Sequence, residues 1–473
     1  MSHRKVLLSN FLSLSSVQIA NYILPLVTVP YLVRILGPEK FGLINFAQAF
    51  VSYFLVITNF GINISGAREI AIVREDKQKL SEVFSALIFG KFYLCILSAL
   101  IFIFLLQFVP HLATNSSLFL ICFGIVFAEM LFPVWFFQGM EQMTYIAVLN
   151  FIGRMIFTLI VFLIIKEESD YLLVPLLNVI SSLLIGIISL VIVYKRFDVL
   201  FVFPDLNSIY MALKNSFTIF LSDVYVAFYT ASYPVVLGFI TNYTYVGYYT
   251  AAQKIVQAWV GLQNLIVTTL FPYMSKLATE SRERAMILIQ KITVFCFLIS
   301  IPATLITFSY AEEIIDIVLG NKFHESAWIM RILSLLFVLI LLNVHLTYHG
   351  MLIFKNDRHF NYARLAGGII ALVLIFPLSY YYNHIGTSMT FVLSEMAVFV
   401  VSIYLLIARA VCFVTAEQLK KIALFTLIVL CLSIFSLYVK NLFLGITLVG
   451  AMTVIATIKL FGYEFLMIGR KNV

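Results

Sequence analysis

Fourteen stretches of this chain are each long and apolar enough to cross a bilayer, and together they take up nearly all of its 473 residues. A helical crossing of the hydrocarbon core needs about 20 mostly apolar residues, and a backbone surrounded by lipid must satisfy its own N–H and C=O groups. The expected spans cover residues 10–36, 42–67, 81–109, 116–138, 144–165, 171–194, 213–240, 245–272, 285–308, 326–354, 361–382, 387–410, 420–438 and 442–463. Composition argues against a string of soluble domains: 62% of residues are hydrophobic and 11% charged, against about 45–50% and 25% in globular chains. The expectation is an all-α integral membrane protein.

The connections carry the orientation. With a cytoplasmic N-terminus, 20 Lys and Arg residues fall in inside segments, among them Arg68, Arg74, Lys195, Arg196, Arg282, Arg284, Lys420 and Lys421, and only Arg34, Lys40, Lys166, Lys322 and Lys440 fall outside. Basic loops resist translocation, so both termini are expected in the cytoplasm. The net charge of +8 then suits an anionic inner leaflet, and no nucleic-acid partner is needed to explain it. The short basic start Met1–Lys5 leads into an apolar run too long for a signal-peptide core. Cys95, Cys122, Cys296, Cys412 and Cys431 lie in or beside apolar stretches without metal-type spacing, so neither a disulfide nor a zinc site is expected. The longest connections, Lys195–Ala212 and Ser309–Glu325, are too small for a soluble catalytic domain.

An internal repeat divides the chain. With a constant offset of 205 residues, Gly42 matches Gly247, Ala47 matches Ala252, Gln48 matches Gln253, Val51 matches Val256 and Asn59 matches Asn264. The matched segments are the second and eighth spans, and an offset of six spans preserves orientation. The domains expected are an N-lobe at 1–194, a cytoplasmic linker at 195–212, a C-lobe at 213–410 and an extra helix pair with tail at 411–473. Repeats of this kind place a site near the membrane midplane and work by alternating access.

Polar residues recur at helical spacing on the repeat-related spans: Thr250, Lys254, Gln257, Gly261, Asn264 and Thr268 on the eighth, Asn45, Gln48, Ser52 and Asn59 on the second, Gln18, Asn21 and Thr28 on the first, and Ser222, Tyr225, Tyr229 and Ser232 on the seventh. Two readings stand: hydrogen bonding between packed spans, or the wall of a wet cavity. Well inside the spans lie Lys91, Glu129, Arg154, Asp223, Lys254 and Glu395. A central charge costs about 2.5–3.5 kcal/mol on insertion scales and normally faces a cavity or a partner; internal ion pairs are the alternative. Lys254 stands apart because it lies on a polar stripe. A cationic cavity implies an anionic cargo, and phosphate or pyrophosphate is the common group that recruits buried Lys and Arg. The candidate substrate-binding residues are therefore Lys254, Arg154, Lys91, Gln257, Asn264, Asn45, Gln48 and Asn59. Pro25, Pro30, Pro234 and Pro302 interrupt the helical ladder, as static kinks or as bending points.

The run PYLVRILGPEKFGLINFAQAF from Pro30, with NFGINISGAREIA from Asn59, PVWFFQGMEQM from Pro133 and VGYYTAAQKI from Val246, resembles the O-antigen and polysaccharide repeat-unit flippases of the multidrug, oligosaccharidyl-lipid and polysaccharide exporter superfamily. The resemblance covers essentially the whole chain. It implies about 14 transmembrane helices, with two six-helix lobes in a V around a central cavity and a C-terminal helix pair, in the bacterial inner membrane. It also implies a non-enzymatic role, the movement of an undecaprenyl-pyrophosphate-linked oligosaccharide from the cytoplasmic to the periplasmic leaflet. Coupling to an H+ or Na+ gradient is implied too, with Asp223, Glu129 and Glu395 as candidate ion sites and no other cofactor. Membrane lipids and the polymerase and chain-length proteins of the same pathway are the expected partners. The alternatives are a multidrug exporter of the same superfamily, a membrane-embedded glycan polymerase or acyltransferase, and a structural subunit, which would have no use for polar stripes.

Overall fold

The computed structural model describes the backbone of residues 3–354, 356–409, 411, 413–437 and 442–461 and most side chains from Leu24 onward. No strand occurs among the described residues. Nine described stretches are long and apolar enough to cross a membrane, beginning with Leu24–Val73 and ending with Ala416–Ser436, and Ala231–Ile240 and Val449–Phe461 are shorter apolar helices. Packing divides the chain into two compact units, Met1–Gly247 and Tyr248–Val473.

The first unit is built from α1 (His3–Asn59), α2 (Ile62–Val73), α3 (Lys77–Phe108), α4 (Pro110–Ala113), α5 (Ser116–Leu131), α6 (Val134–Gly139), α7 (Met143–Ile164), α8 (Leu173–Phe197), α9 (Leu206–Ile240) and the start of α10 (Tyr243–Glu280). As one straight rod α1, with 57 residues, would measure about 85 Å, nearly three times the hydrocarbon thickness. It breaks at Gly37, whose φ of 69° is open to glycine at no steric cost, and Pro38 then begins the next helix without needing an N–H donor. The break falls between the expected spans 10–36 and 42–67. Its two halves meet different neighbours: Thr28 bonds to Thr158 of α7 at 3.0 Å, whereas Phe54 packs edge-on to Phe102 of α3 and Phe123 of α5.

The repeat-equivalent glycines of the sequence meet. A Cβ on Gly42 would lie 1.8 Å from the Tyr243 carbonyl oxygen and 2.5 Å from the Gly247 nitrogen, and one on Gly247 would lie 2.0 Å from the Pro38 carbonyl oxygen. Beside this contact Phe46 fills the space over Gly238, ringed by Phe239, Tyr243, His111 and Phe119.

The WFFQG segment is packing material. Trp135, Phe136 and Phe137 are fully buried against Phe84 of α3, Phe197 of α8 and Tyr145 of α7. The stretch between α8 and α9 docks on α3: the Leu200 and Val202 N–H groups donate to Ser81 Oγ at 3.1 Å and Ser85 Oγ at 3.0 Å, and Lys77 pairs with Asp198 at 2.7 Å. Asp76 caps α3, and the N–H groups of Lys79 and Gln78 hold its carboxyl below the usual range.

The second unit continues α10 with α11 (Arg282–Ser309), α12 (Ala311–Val318), α13 (Ser326–Ser334), α14 (Leu336–His345), α15 (Asp357–Ile407), α16 (Ala416–Leu437) and α17 (Leu442–Phe461). α15 doubles back at Asn383, at φ 50°. Ser379 meets Thr387 at 2.8 Å and Thr390 reaches the Leu374 carbonyl at 3.5 Å, pairs that straddle the turn as in an antiparallel hairpin. This break too falls at an expected boundary, between spans 361–382 and 387–410. The α16–α17 pair packs on α11 through Val294, Ile301, Phe425, Val429 and Val449, and Tyr310 donates to the Ser436 carbonyl at 2.9 Å.

Gly247→Ala should lower the midpoint of thermal unfolding in detergent by the equivalent of about 1–3 kcal/mol, the usual scale of overpacking. Gly450→Ala is the control: nothing lies within 4 Å of an added Cβ there, so its midpoint should stay level or rise slightly. Equal midpoints for the two variants would deny the backbone contact.

Candidate functional site

Glycines let α8 approach its neighbours: a Cβ on Gly186 would lie 2.9 Å from Leu131 Cβ of α5, and one on Gly153 of α7 would lie 2.9 Å from Ile185 of α8. Where the three helices diverge, a cavity of about 300 Å³ opens, at the lower end of ligand-site volumes. α5 contributes Glu129, α7 contributes Asn150 and Arg154, and α8 contributes Asn178, Ser181 and Ser182. The spacings explain this wall, since residues three or four apart share a helical face. Arg154 stands midway along α7 and is exposed, and it is the one charged residue of that helix. Its guanidinium therefore meets the cavity at a depth where lipid would penalise it.

Behind the cavity, Lys91 of α3 is 1% exposed and donates to the Glu129 carbonyl at 3.3 Å. The structure thus brings together three of the intramembrane charges, Lys91, Glu129 and Arg154. It adds four residues that sequence reasoning misses: Asn150, Asn178, Ser181 and Ser182. Their signal is present in the four-residue step from Asn150 to Arg154 and the three-residue step from Asn178 to Ser181.

The other candidates are placed as follows. Asn45 is buried and donates to the Phe41 carbonyl of its own helix at 2.7 Å, while Gln48 and Asn59 are half-buried. Asp223 on α9 is half-buried. On α10, Thr250 and Gln253 are buried, Lys254 is half-buried and Gln257 is exposed, and the side chains of Asn264, Thr268 and Tyr229 lie outside the described residues, as do those of Gln18 and Asn21. Glu395 of α15 accepts from Asn343 Nδ2 at 2.7 Å. Hydroxyls also bond across helices: Ser232 of the seventh-span stripe to Tyr53 at 3.1 Å, and, off the stripes, Ser65 to Ser216 at 2.6 Å.

Charges near helix ends are held by local partners. Arg331 pairs with Glu312 at 2.8 Å and lies over Trp328 at 4.7 Å, and Arg364 lies over Phe360 at 4.5 Å. Among the described residues no three His, Cys, Asp or Glu side chains assemble as a metal site.

A multi-pass helical protein with charged and amide groups gathered inside its membrane helices has the architecture of a membrane carrier. The solved structure titled "Lipid II flippase MurJ, inward closed conformation" superposes with a TM-score of 0.81 at 14% identity, covering 96% of this chain and 100% of that one. An inward-facing multidrug resistance MATE family transporter of the MOP superfamily superposes at 0.61, also with 14% identity, over 82% of this chain and 94% of that one. The sequence goes further than the fold: the chain belongs to the family described as polysaccharide biosynthesis protein, which matches residues 7–278. A relative from Escherichia coli (strain K12) named "Putative O-antigen transporter" is 30% identical over 389 residues, 82% of this chain and 94% of the relative. One of the same name from Shigella dysenteriae is 27% identical over 391 residues, covering 82% of this chain and 97% of that protein.

Accessibility separates a wet cavity from dry packing. In a background with Cys431 replaced by Ser, cysteines at Asn150, Arg154, Asn178 and Ser182 should react with a membrane-impermeant thiol reagent in permeabilised cells. Cysteines at Leu163 and Leu184, exposed but outside the cavity wall, should resist it. Protection at all four wall positions would leave hydrogen-bonded packing as the account of these residues.

Proposed function

We propose that the protein is a flippase of the bacterial inner membrane that carries an undecaprenyl-pyrophosphate-linked oligosaccharide, an O-antigen or similar repeat unit, from the cytoplasmic to the periplasmic leaflet by alternating access. The observation that carries this reading is Arg154, a guanidinium at the middle of a largely apolar helix, in a cavity whose other polar lining is Glu129, two amides and two hydroxyls. A planar guanidinium grips phosphate oxygens through paired hydrogen bonds, and Asn and Ser side chains match the donors and acceptors of sugar hydroxyls. The lipid tail stays in the bilayer. The names of the Escherichia coli and Shigella dysenteriae relatives, which this chain matches over nearly their full length, support the same cargo class.

Lys254, half-buried on α10, is the second cation of this reading, with Lys91 as a helper that acts through Glu129. At 4 Å two unit charges attract by about 1 kcal/mol in water and about 4 kcal/mol at an effective dielectric of 20, so a partly dry site multiplies what one ammonium contributes. The two lobes of the mechanism are residues 1–194 and 213–410, with both termini cytoplasmic. The polymerase and chain-length proteins of the pathway are the partners that take the flipped unit.

In bacteria deleted for their own flippase, Lys254→Glu and Arg154→Ala should abolish surface glycan with protein abundance unchanged. Lys254→Arg should retain part of it, and lipid-linked single units should accumulate in the cytoplasmic leaflet. Normal glycan from both Lys254→Ala and Arg154→Ala would sink the cationic site. Reporter fusions after Tyr310 and Asn383 should report the periplasm and those after Glu280 and Asn356 the cytoplasm, sites separated in turn by single crossing stretches. A reversed pattern at two of the four would overturn the orientation.

A further inference from the structure

His345 and His349 lie one turn apart where α14 passes into a π-helical turn, Leu346–Met351, a widened geometry that recurs at functional sites. Both are 0% exposed. Their rings meet nitrogen to nitrogen, Nδ1 to Nδ1, at 2.9 Å. Two imidazole nitrogens at that distance share one hydrogen, because two would collide and none would leave facing lone pairs.

The rest of the network decides where that hydrogen belongs. The Thr293 hydroxyl donates to the Ile289 carbonyl at 2.9 Å, so toward His345 Nε2, also 2.9 Å away, the Thr293 oxygen acts as acceptor. His345 therefore carries its hydrogen on Nε2 and offers a bare Nδ1, and His349 fills the gap with its own Nδ1–H. One nitrogen is left over. His349 Nε2 is a bare lone pair, buried and without a hydrogen-bond partner. The backbone of Val267, on α10, interacts with the same ring.

We propose that His349 Nε2 is the entry atom of a proton-binding site that holds one proton at a time. A proton added to Nε2 turns His349 into an imidazolium. Its Nδ1 hydrogen then crosses to His345 Nδ1, leaving His349 neutral and His345 cationic, with Nε2–H still bonded to Thr293. One proton enters, one positive charge moves from ring to ring, and no other bond changes. A second proton is refused, since the Nδ1 contact admits a single hydrogen.

The titratable and charged groups around the pair are few among the described residues. α15 brings Glu395, held by Asn343 through its carboxylate at 2.7 Å and its carbonyl at 2.9 Å, and Arg364 over Phe360, whose ring meets Tyr348 edge-on. α11 brings Cys296 in the adjoining core and Arg282 over Phe354 at 5.5 Å. α10 presents the Phe271 ring, stacked on His349 at 6.3 Å. Glu395 is the one acidic group of this set and the natural counter-charge to the protonated pair. The proton site stands on this geometry alone; its use as the coupling ion rests on the transport reading above.

Full-length protein labelled with 15N-histidine in lipid nanodiscs tests the site without any substitution, because a scalar coupling across the Nδ1–H···Nδ1 bond marks this pair uniquely. At high pH the coupled donor ring should show an unprotonated Nε2, and acidification should add one proton to the pair and no more. Absence of the coupling, an Nε2 protonated throughout, or uptake of two protons would overturn the proposal. In proteoliposomes given extracted polyprenyl-pyrophosphate-linked oligosaccharide as the probe, an imposed pH gradient should change the wild-type flipping rate, and His349→Gln and Thr293→Val should lose that response. A response retained by both variants would refute the coupling role. Should wild-type protein move no oligosaccharide while the pair titrates as described, the transport reading fails and the proton site stands.

Discussion

Hydrocarbon offers a peptide group nothing to bond to, and every part of this structure answers to that shortage. Chain that crosses the membrane is helical, and where a long helix breaks, it does so at a residue that tolerates an odd backbone angle. Among the described residues Gly37 and Asn383 are the two cases inside helices, at φ 69° and 50°. Side-chain hydroxyls obey the same rule. Ser65, Thr293, Ser300, Ser388, Thr390 and Thr457 each donate to the carbonyl one turn back, which hides a polar group within its own helix and leaves the surface free for packing. Groups that cannot be hidden this way, the guanidinium of Arg154 and the rings of His345 and His349, are therefore the informative ones.

Close helix packing does the second job. Small residues let backbones touch, and the contact between Gly42 and Gly247 is a tight expression of it: helix starts related by the 205-residue repeat are pressed together until neither tolerates a methyl group. The sequence motifs around these glycines, LGPEKFG and VGYYTAAQ, thus specify a junction, and the buried aromatics of WFFQG specify a core.

The nine long apolar stretches among the described residues were legible because hydropathy alone encodes them, and the breaks at Gly37 and Asn383 were legible as gaps between expected spans. Lys91, Glu129 and Arg154 were legible because charge in an apolar helix is conspicuous. Their gathering was not, since it depends on how α3, α5 and α7 are rotated about their axes, which no single helix records. The helical steps that link Asn150 to Arg154 and Asn178 to Ser181 did not single these residues out, nor Ser182: amides and hydroxyls are common in membrane helices, and only a shared cavity distinguishes them. The His345–His349 pair escaped more completely, because a period of 3.6 residues does not announce a π-helical turn and a lone histidine on an apolar face carries no pattern. The docking of the 198–202 stretch on Ser81 and Ser85 was hidden as well, since serine in a helix reads as filler until its partner is known.

The 2.9 Å approach of two histidine nitrogens also limits the work available to a carrier that uses it. A site that accepts one hydrogen ties each cycle to one elementary charge. That charge yields about 2.3 kcal/mol per 100 mV of membrane potential, and each pH unit adds about 1.4 kcal/mol. At one such increment of each, the proton alone drives a leaflet ratio of a few hundredfold, before the charge of the pyrophosphate cargo is counted, by the rule that about 1.4 kcal/mol is one factor of ten. Such a carrier is a pump of low gear: it keeps the outer leaflet supplied so long as a downstream step consumes the lipid-linked unit, and it stalls when that consumption stops.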